Sequence, residues 1–303
     1  MPAFRTIGIR RLLLAWLFSA AALCHAEDPD KVLLVEKPFA QLSDHAISPL
    51  GEQALAVRPT AWKHGETANF VYHYFTDSIS KPVALEAEFY YRVIAGELER
   101  NTTQWERKGH LFIFEEDADW EQFKTAGGIE QWSGGIHHQN EIFLQRDPHA
   151  RFKGNALAHE LTHLIVYRFF GAGVPLWLNE GLAEYTATRW YASFWRSRGY
   201  NAHPRSVSVS PANYMPVTKF TSLLAYPQAD AEVISFYAES ERLVRFLSAS
   251  NKHKFSQFLD LMSKGSRFES ALDKSFGTTF FNVEGLEKQF QPYAQKDFVD
   301  TPN

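Results

Sequence analysis

Ala158-His159-Glu160-Leu161-Thr162-His163, read with Trp177-Leu178-Asn179-Glu180-Gly181-Leu182-Ala183-Glu184-Tyr185 downstream, decides how the rest of the chain is read. Histidines four apart on a helix are offset by about 40° and one turn, so His159 and His163 leave from one side. Two imidazoles stacked that way can each give a nitrogen to one zinc ion. Glu160 beside them can reach a water on the metal without ligating it. The local sequence supports the helix. No proline or glycine falls between Asn155 and Phe170, and Gly171 is placed as a C-cap. Leu157, Leu161 and Leu164 make an apolar stripe away from the histidines. Val166 and Phe170 continue the histidine side, which is therefore not a plain solvent face. Gly171-Ala172-Gly173-Val174-Pro175 is a turn whose proline suits the start of a second helix. The chain returns there, which lets Glu180 sit level with His163. Two histidines, one carboxylate and an open fourth position are the catalytic form of a zinc site, whereas a structural site takes four protein ligands. The competing account is a set of exposed polar residues on an amphipathic helix.

H-E-L-T-H followed by W-L-N-E-G-L-A-E-Y resembles the gluzincin metallopeptidases, the group of thermolysin and aminopeptidase N, and most of all small bacterial peptidase MA-like proteins. The resemblance runs over roughly residues 65 to 295, with specific motifs in 155–185 and near Tyr237. It implies an α+β fold: a thermolysin-like zincin catalytic unit with an N-terminal α/β lobe and a C-terminal helical lobe. It implies one zinc ion held by His159, His163 and Glu180. Glu184, four residues on, then holds a ligating histidine ring, and Glu160 takes the proton of the attacking water. An edge strand beside the zinc helix, here at Gly134, Gly135 and Ile136, would bind substrate by strand addition. Ser235-Phe236-Tyr237-Ala238-Glu239-Ser240 is similar to the aminopeptidase N helix whose tyrosine points at the scissile carbonyl, and that role falls on Tyr237. A tyrosine packed under the cleft with its hydroxyl tied up elsewhere is the other account of Tyr237. His203 is the competing donor on the thermolysin pattern. A peptide or protein as substrate rests on the resemblance; the metal follows from residue types and spacing. Gly134 to Asn140 does not match the G-A-M-E-N-type segment that grips a free amine, which favours an endopeptidase over an aminopeptidase. A weakly active or inactive peptide-binding scaffold is the third reading, and the intact Glu160 argues against it.

Upstream of the motif, Asn69 to Phe75 and His110 to Phe114 have the aromatic and β-branched composition of strands. Val83 to Leu98 and Asp117 to Thr125 read as helices. The later part of Gly134 to Gln145 reads as a single strand. His137 and His138 are adjacent in it, so they point to opposite faces and cannot both serve one site; both are taken as ordinary polar strand residues. Residues 27–65, broken by prolines, read as an extension of unknown role with a short strand or two. The lobe with the edge strand is expected over 66–150, and the zinc helices with the helical lobe over 151–303. Downstream, Arg196 to Pro216 reads as a long loop over the cleft and Thr218 to Ala225 as a short helix. Helical spacing over 233–249, 253–264, 266–275 and 281–294 is broken at Asn251, Gly265 and Gly277.

At the start, Arg5, Arg10 and Arg11 precede an apolar run from Leu12 to Leu23, and Cys24-His25-Ala26 offers small residues for cleavage. Residues 1–26 are thus expected to be a signal peptide, the run being short for a membrane span. The expected mature chain is periplasmic or secreted, without a stable membrane anchor. It loses the one cysteine, which excludes thiolate chemistry and disulfides. It also loses three arginines and no acids, taking the net charge from −4 to −7. That balance argues against nucleic acid as a partner.

Overall fold

Strands form where aromatic and branched residues can be buried on both sides, and helices where the apolar spacing gives one side. The computed structural model describes residues 32–102, 107–130, 133–146, 155–202 and 209–296. The expected signal peptide lies outside them. Within the described residues the chain runs β1 (Val35–Glu36), α1 (Pro49–Ala56), β2 (Lys63–Glu66), β3 (Phe70–Tyr74), α2 (Asp77–Glu97), β4 (Gly109–Phe114), α3 (Asp117–Gly127), β5 (Gly135–His138) and β6 (Glu141–Gln145). It continues through α4 (Ala156–Phe170), α5 (Leu176–Arg196), α6 (Val217–Phe220), α7 (Asp230–Ser250), α8 (Lys252–Ser263), α9 (Phe268–Phe280) and α10 (Val283–Ala294). The class is mixed α+β, with one six-stranded sheet and ten α-helices among the described residues.

The sheet order is β1-β2-β3-β4-β6-β5. β3, β4 and β6 are parallel, and β1, β2 and β5 are antiparallel to their neighbours. Alternation sorts the side chains into two layers. Tyr72, Leu111, Ile113, Ile142 and Leu144 are buried in the large core with residues of α2, α4 and α5. Phe112, Phe114 and Phe143 pack with Trp120 and Phe123 of α3, and with Ala54 and Trp62, in a smaller core. The prolines of 32–65 do not keep that stretch apart from the fold. Ser48 accepts from the backbone N–H groups of Leu50 and Gly51, with Pro49 at the first helical position, so α1 is a properly capped helix. β2 crosses the boundary expected after residue 65 and pairs with β3 along its whole length.

Four expectations are corrected. The stretch 134–145 is a hairpin of two strands turning at Gln139-Asn140, where Gln139 takes φ +54°. α2 begins at Asp77, because burial of Ile79 and Ser80 draws the helix back across Pro82. α6 stops after one turn at Phe220, short of Ala225. Gly277 does not break α9, since buried Phe276 and Phe280 carry the helix past it to Phe280. The described end of the 196–216 loop is tied to the helical lobe. Glu239 of α7 accepts from the Met215 N–H at 2.8 Å, and Glu287 of α10 accepts from the Val217 N–H at 2.7 Å. No helix among the described residues is long and apolar enough to cross a membrane.

Candidate metal centre and cleft

α4 and α5 pack side by side, and a buried pair of hydroxyls joins them: Thr162 and Thr186 meet at 2.6 Å, one donating to the other, which in turn donates back into its own helix. That packing brings the two motifs together. His159 Nε2 and His163 Nε2 lie 3.1 Å apart, and Glu180 Oε2 lies 3.5 and 3.6 Å from them. Among the described residues this is the one cluster whose donor atoms could share a metal ion. Four ligands at zinc bond lengths of about 2.0–2.1 Å stand about 3.3 Å from one another, close to the three separations seen. Two imidazole nitrogens and a carboxylate oxygen are zinc donors by type as well, so the residues fit the ion.

The electrostatics point the same way. Burial works against a charge on His159, but hydrogen bonds to Glu180 and Glu184 and the charge of Glu160 push its pKa well above the usual histidine range. Burial would raise Glu180, yet the hydrogen bonds from His159 and His163 hold its carboxyl far below the ordinary range. The pocket is thus built to stabilise positive charge at this point. Glu184 Oε1 sits 3.2 Å from His159 Nδ1, on the far side of the ring from Nε2. Glu160 is buried next to the cluster. Its carboxyl is raised by burial against the pull of both histidines, and it accepts from the backbone N–H of His137.

The cleft in front of the cluster is about 400 Å³. β5 forms one wall as the last strand of the sheet, with no further strand beyond it among the described residues. A Cβ at position 135 would meet Glu160 Cγ at 3.0 Å and Leu144 Cδ2 at 2.9 Å, so a larger residue there would press on both side chains. Ile136 lines the cleft, and Gly134 precedes the strand. The opposite wall is aromatic. Tyr237, on α7, faces Glu180, and Tyr226 stacks on it with ring centres 6.0 Å apart at 18°. Burial raises the pKa of both phenols, with Glu180 adding to the shift, so both keep their protons at neutral pH.

Two residues of the cleft were set aside or missed in the sequence. His137 faces the cleft, its ring 6.2 Å from that of His163 and 5.7 Å from that of Tyr167. Burial lowers its pKa to about 3, and so keeps the ring neutral. His138 turns to the other side, toward Glu141. The alternation used to discount the pair is correct, but it also puts His137 on the same face as Gly135, and that was the available signal. Tyr226 donates to Glu180 Oε1 at 2.6 Å from a turn with no pattern to reveal it. His203 lies outside the described residues.

The family model of the peptidase MA superfamily matches residues 110–296, from β4 to the end of α10 and more than half of the chain. No curated protein matches it.

Proposed function

This chain belongs to the peptidase MA superfamily, and from that premise we propose that it is an exported zinc-dependent peptidase of the gluzincin type that cleaves within peptide chains. The observation carrying the proposal is the convergence of His159, His163 and Glu180 within 4.8 Å, beside a buried Glu160 and below an open strand edge. His159, His163 and Glu180 would hold the zinc, and Glu184 would keep the His159 ring turned toward it. Bound zinc supplies a Lewis acid that acidifies the attacking water and polarises the scissile carbonyl. Glu160 takes the proton from that water and hands it to the departing amine. Tyr237 donates its phenolic hydrogen to the oxygen that gains charge. The outer edge of β5 at Gly134, Gly135 and Ile136 holds the substrate extended by main-chain hydrogen bonds.

Export rests on the composition of residues 1–26, and a peptide or protein substrate on the family. One observation favours an aminopeptidase instead: Glu130 lines the cleft and could take a substrate's free amine. The purified chain without residues 1–26 should contain one zinc per molecule by elemental analysis, and His163→Ala should lose it. It should cleave internally quenched peptides faster than amino-terminal chromogenic ones. The reverse order of rates would convert the reading to an aminopeptidase; zinc without cleavage of either would leave a binding scaffold.

A further inference from the structure

Tyr226 sits in the turn between α6 and α7, with its ring against the cleft and edge-on to buried Phe236 at 6.1 Å. Its hydroxyl donates to Glu180 Oε1, while the other oxygen, Oε2, is the one that faces both histidine nitrogens. An ionised carboxylate only accepts, and a hydroxyl has one hydrogen, so the Tyr226 proton is committed to Glu180. The phenolic oxygen keeps its lone pairs, and the stacked Tyr237 lies beside it. We propose that Tyr226 is a positioning residue: it restrains Glu180 to present a single oxygen toward the metal and gives the Tyr237 hydroxyl an acceptor until substrate arrives. The proposal rests on the zinc reading above and adds a residue to it. Without the bond, Glu180 Oε1 is free to rotate toward the ion, and the tyrosine pair loses the link that ties it to the metal ligand.

The test uses Tyr226→Phe, Tyr237→Phe and the double variant of the chain without residues 1–26. The ring at 226 is 41% exposed and loses one oxygen, so the metal-free protein should still fold, its melting temperature lowered by no more than the loss of one charge-assisted hydrogen bond to Glu180. Zinc affinity, read by competition with a chelator, should fall about 10–100-fold in Tyr226→Phe and stay unchanged in Tyr237→Phe. The visible spectrum of the cobalt(II) form should change in the first variant alone, because that spectrum reports how many oxygens reach the ion. On one peptide, kcat should drop in both with KM little changed, and the double variant should lose about as much as the worse single one. Wild-type affinity and an unaltered cobalt spectrum in folded Tyr226→Phe would overturn the proposal. A wild type that takes up zinc but cleaves no peptide removes the hydrolytic reading and leaves the affinity and spectral results to decide on Tyr226. A wild type that takes up no metal overturns both.

Discussion

Glu160 is the residue whose chemistry is easiest to isolate. Glu160→Gln keeps the shape of the side chain and the partner of the His137 N–H, but an amide cannot accept the proton of water. The variant should hold zinc and melt near the wild-type temperature while kcat falls by about 10²-fold or more. Unchanged kcat with zinc in place would take the base role away from it. Tyr237→Phe should cost about 2.7–4 kcal/mol of transition-state stabilisation, on the order of a hundredfold in kcat, with KM nearly constant. If His203→Ala loses kcat on the same peptide and Tyr237→Phe does not, the donor is His203. Residues with a period or a motif behind them were legible in the sequence. His159 and His163 are set by helical spacing, Glu180 by the returning turn and the resemblance, and the structure brings the three together. Tyr226 was not legible, because a side chain in an irregular turn reaches its partner through the fold and not through the sequence around it.

At the scale of elements, the candidate metal site depends on how closely α5 and α7 cross. Gly181 of α5 lies directly on the backbone carbonyl of Ser240 in α7, and a methyl group there would also meet Val244 Cγ2 at 2.9 Å. Gly181→Ala therefore has to push α7 away, and Tyr237 rides on α7. Overpacking of this kind costs about 1–3 kcal/mol. The melting temperature should fall by roughly 2–10 °C. Assayed well below melting, kcat should fall as well, because the tyrosine moves with its helix. A lowered melting temperature with wild-type kcat would mean that α7 absorbs the change without displacing the tyrosine. The helices themselves were readable from spacing, and the strands from composition. What spacing could not report was the hairpin in 134–145 or the passage of α9 through Gly277. Both are decided by partners distant in sequence: β6 pairs with β4, and Phe276 and Phe280 are buried among other helices. A local window contains neither.

The whole molecule carries a row of histidines, half-buried at His64 and buried at His73 and His110, on the sheet face away from α4. His64 Nδ1 meets His73 Nδ1 at 2.8 Å, His73 Nε2 meets His110 Nδ1 at 3.0 Å, and Asp44 and Arg107 close the row beyond His110. Phe39 covers His64 and His73. Burial lowers all three, His110 to about 4. The unfolded chain binds these protons near the ordinary histidine value, and the folded chain refuses them until lower pH. Stability is therefore lost as pH falls from about 6.5 toward 4, by about 3 kcal/mol for His110 alone at the lower end. Glu239 acts in the opposite sense. Burial raises it to about 8, so its contribution is full below the ordinary carboxylate range and is lost as pH rises through 8. Comparing His110→Asn with the wild type cancels Glu239. Melting temperatures from pH 7 to 4.5 should fall less steeply in the variant, and parallel curves would clear the row of responsibility. None of this showed in the sequence, since His64, His73 and His110 sit far apart in it and meet only because β2, β3 and β4 are neighbours. The open edge of β5 carries a different consequence at this scale. On the proposed reading, a target held there as an added strand would first have to give up its own fold over several residues, so the rate at which it was cut would follow how often that segment opens. Among targets of similar sequence, such an enzyme would read local stability, sparing well-packed proteins and removing those that have begun to come apart.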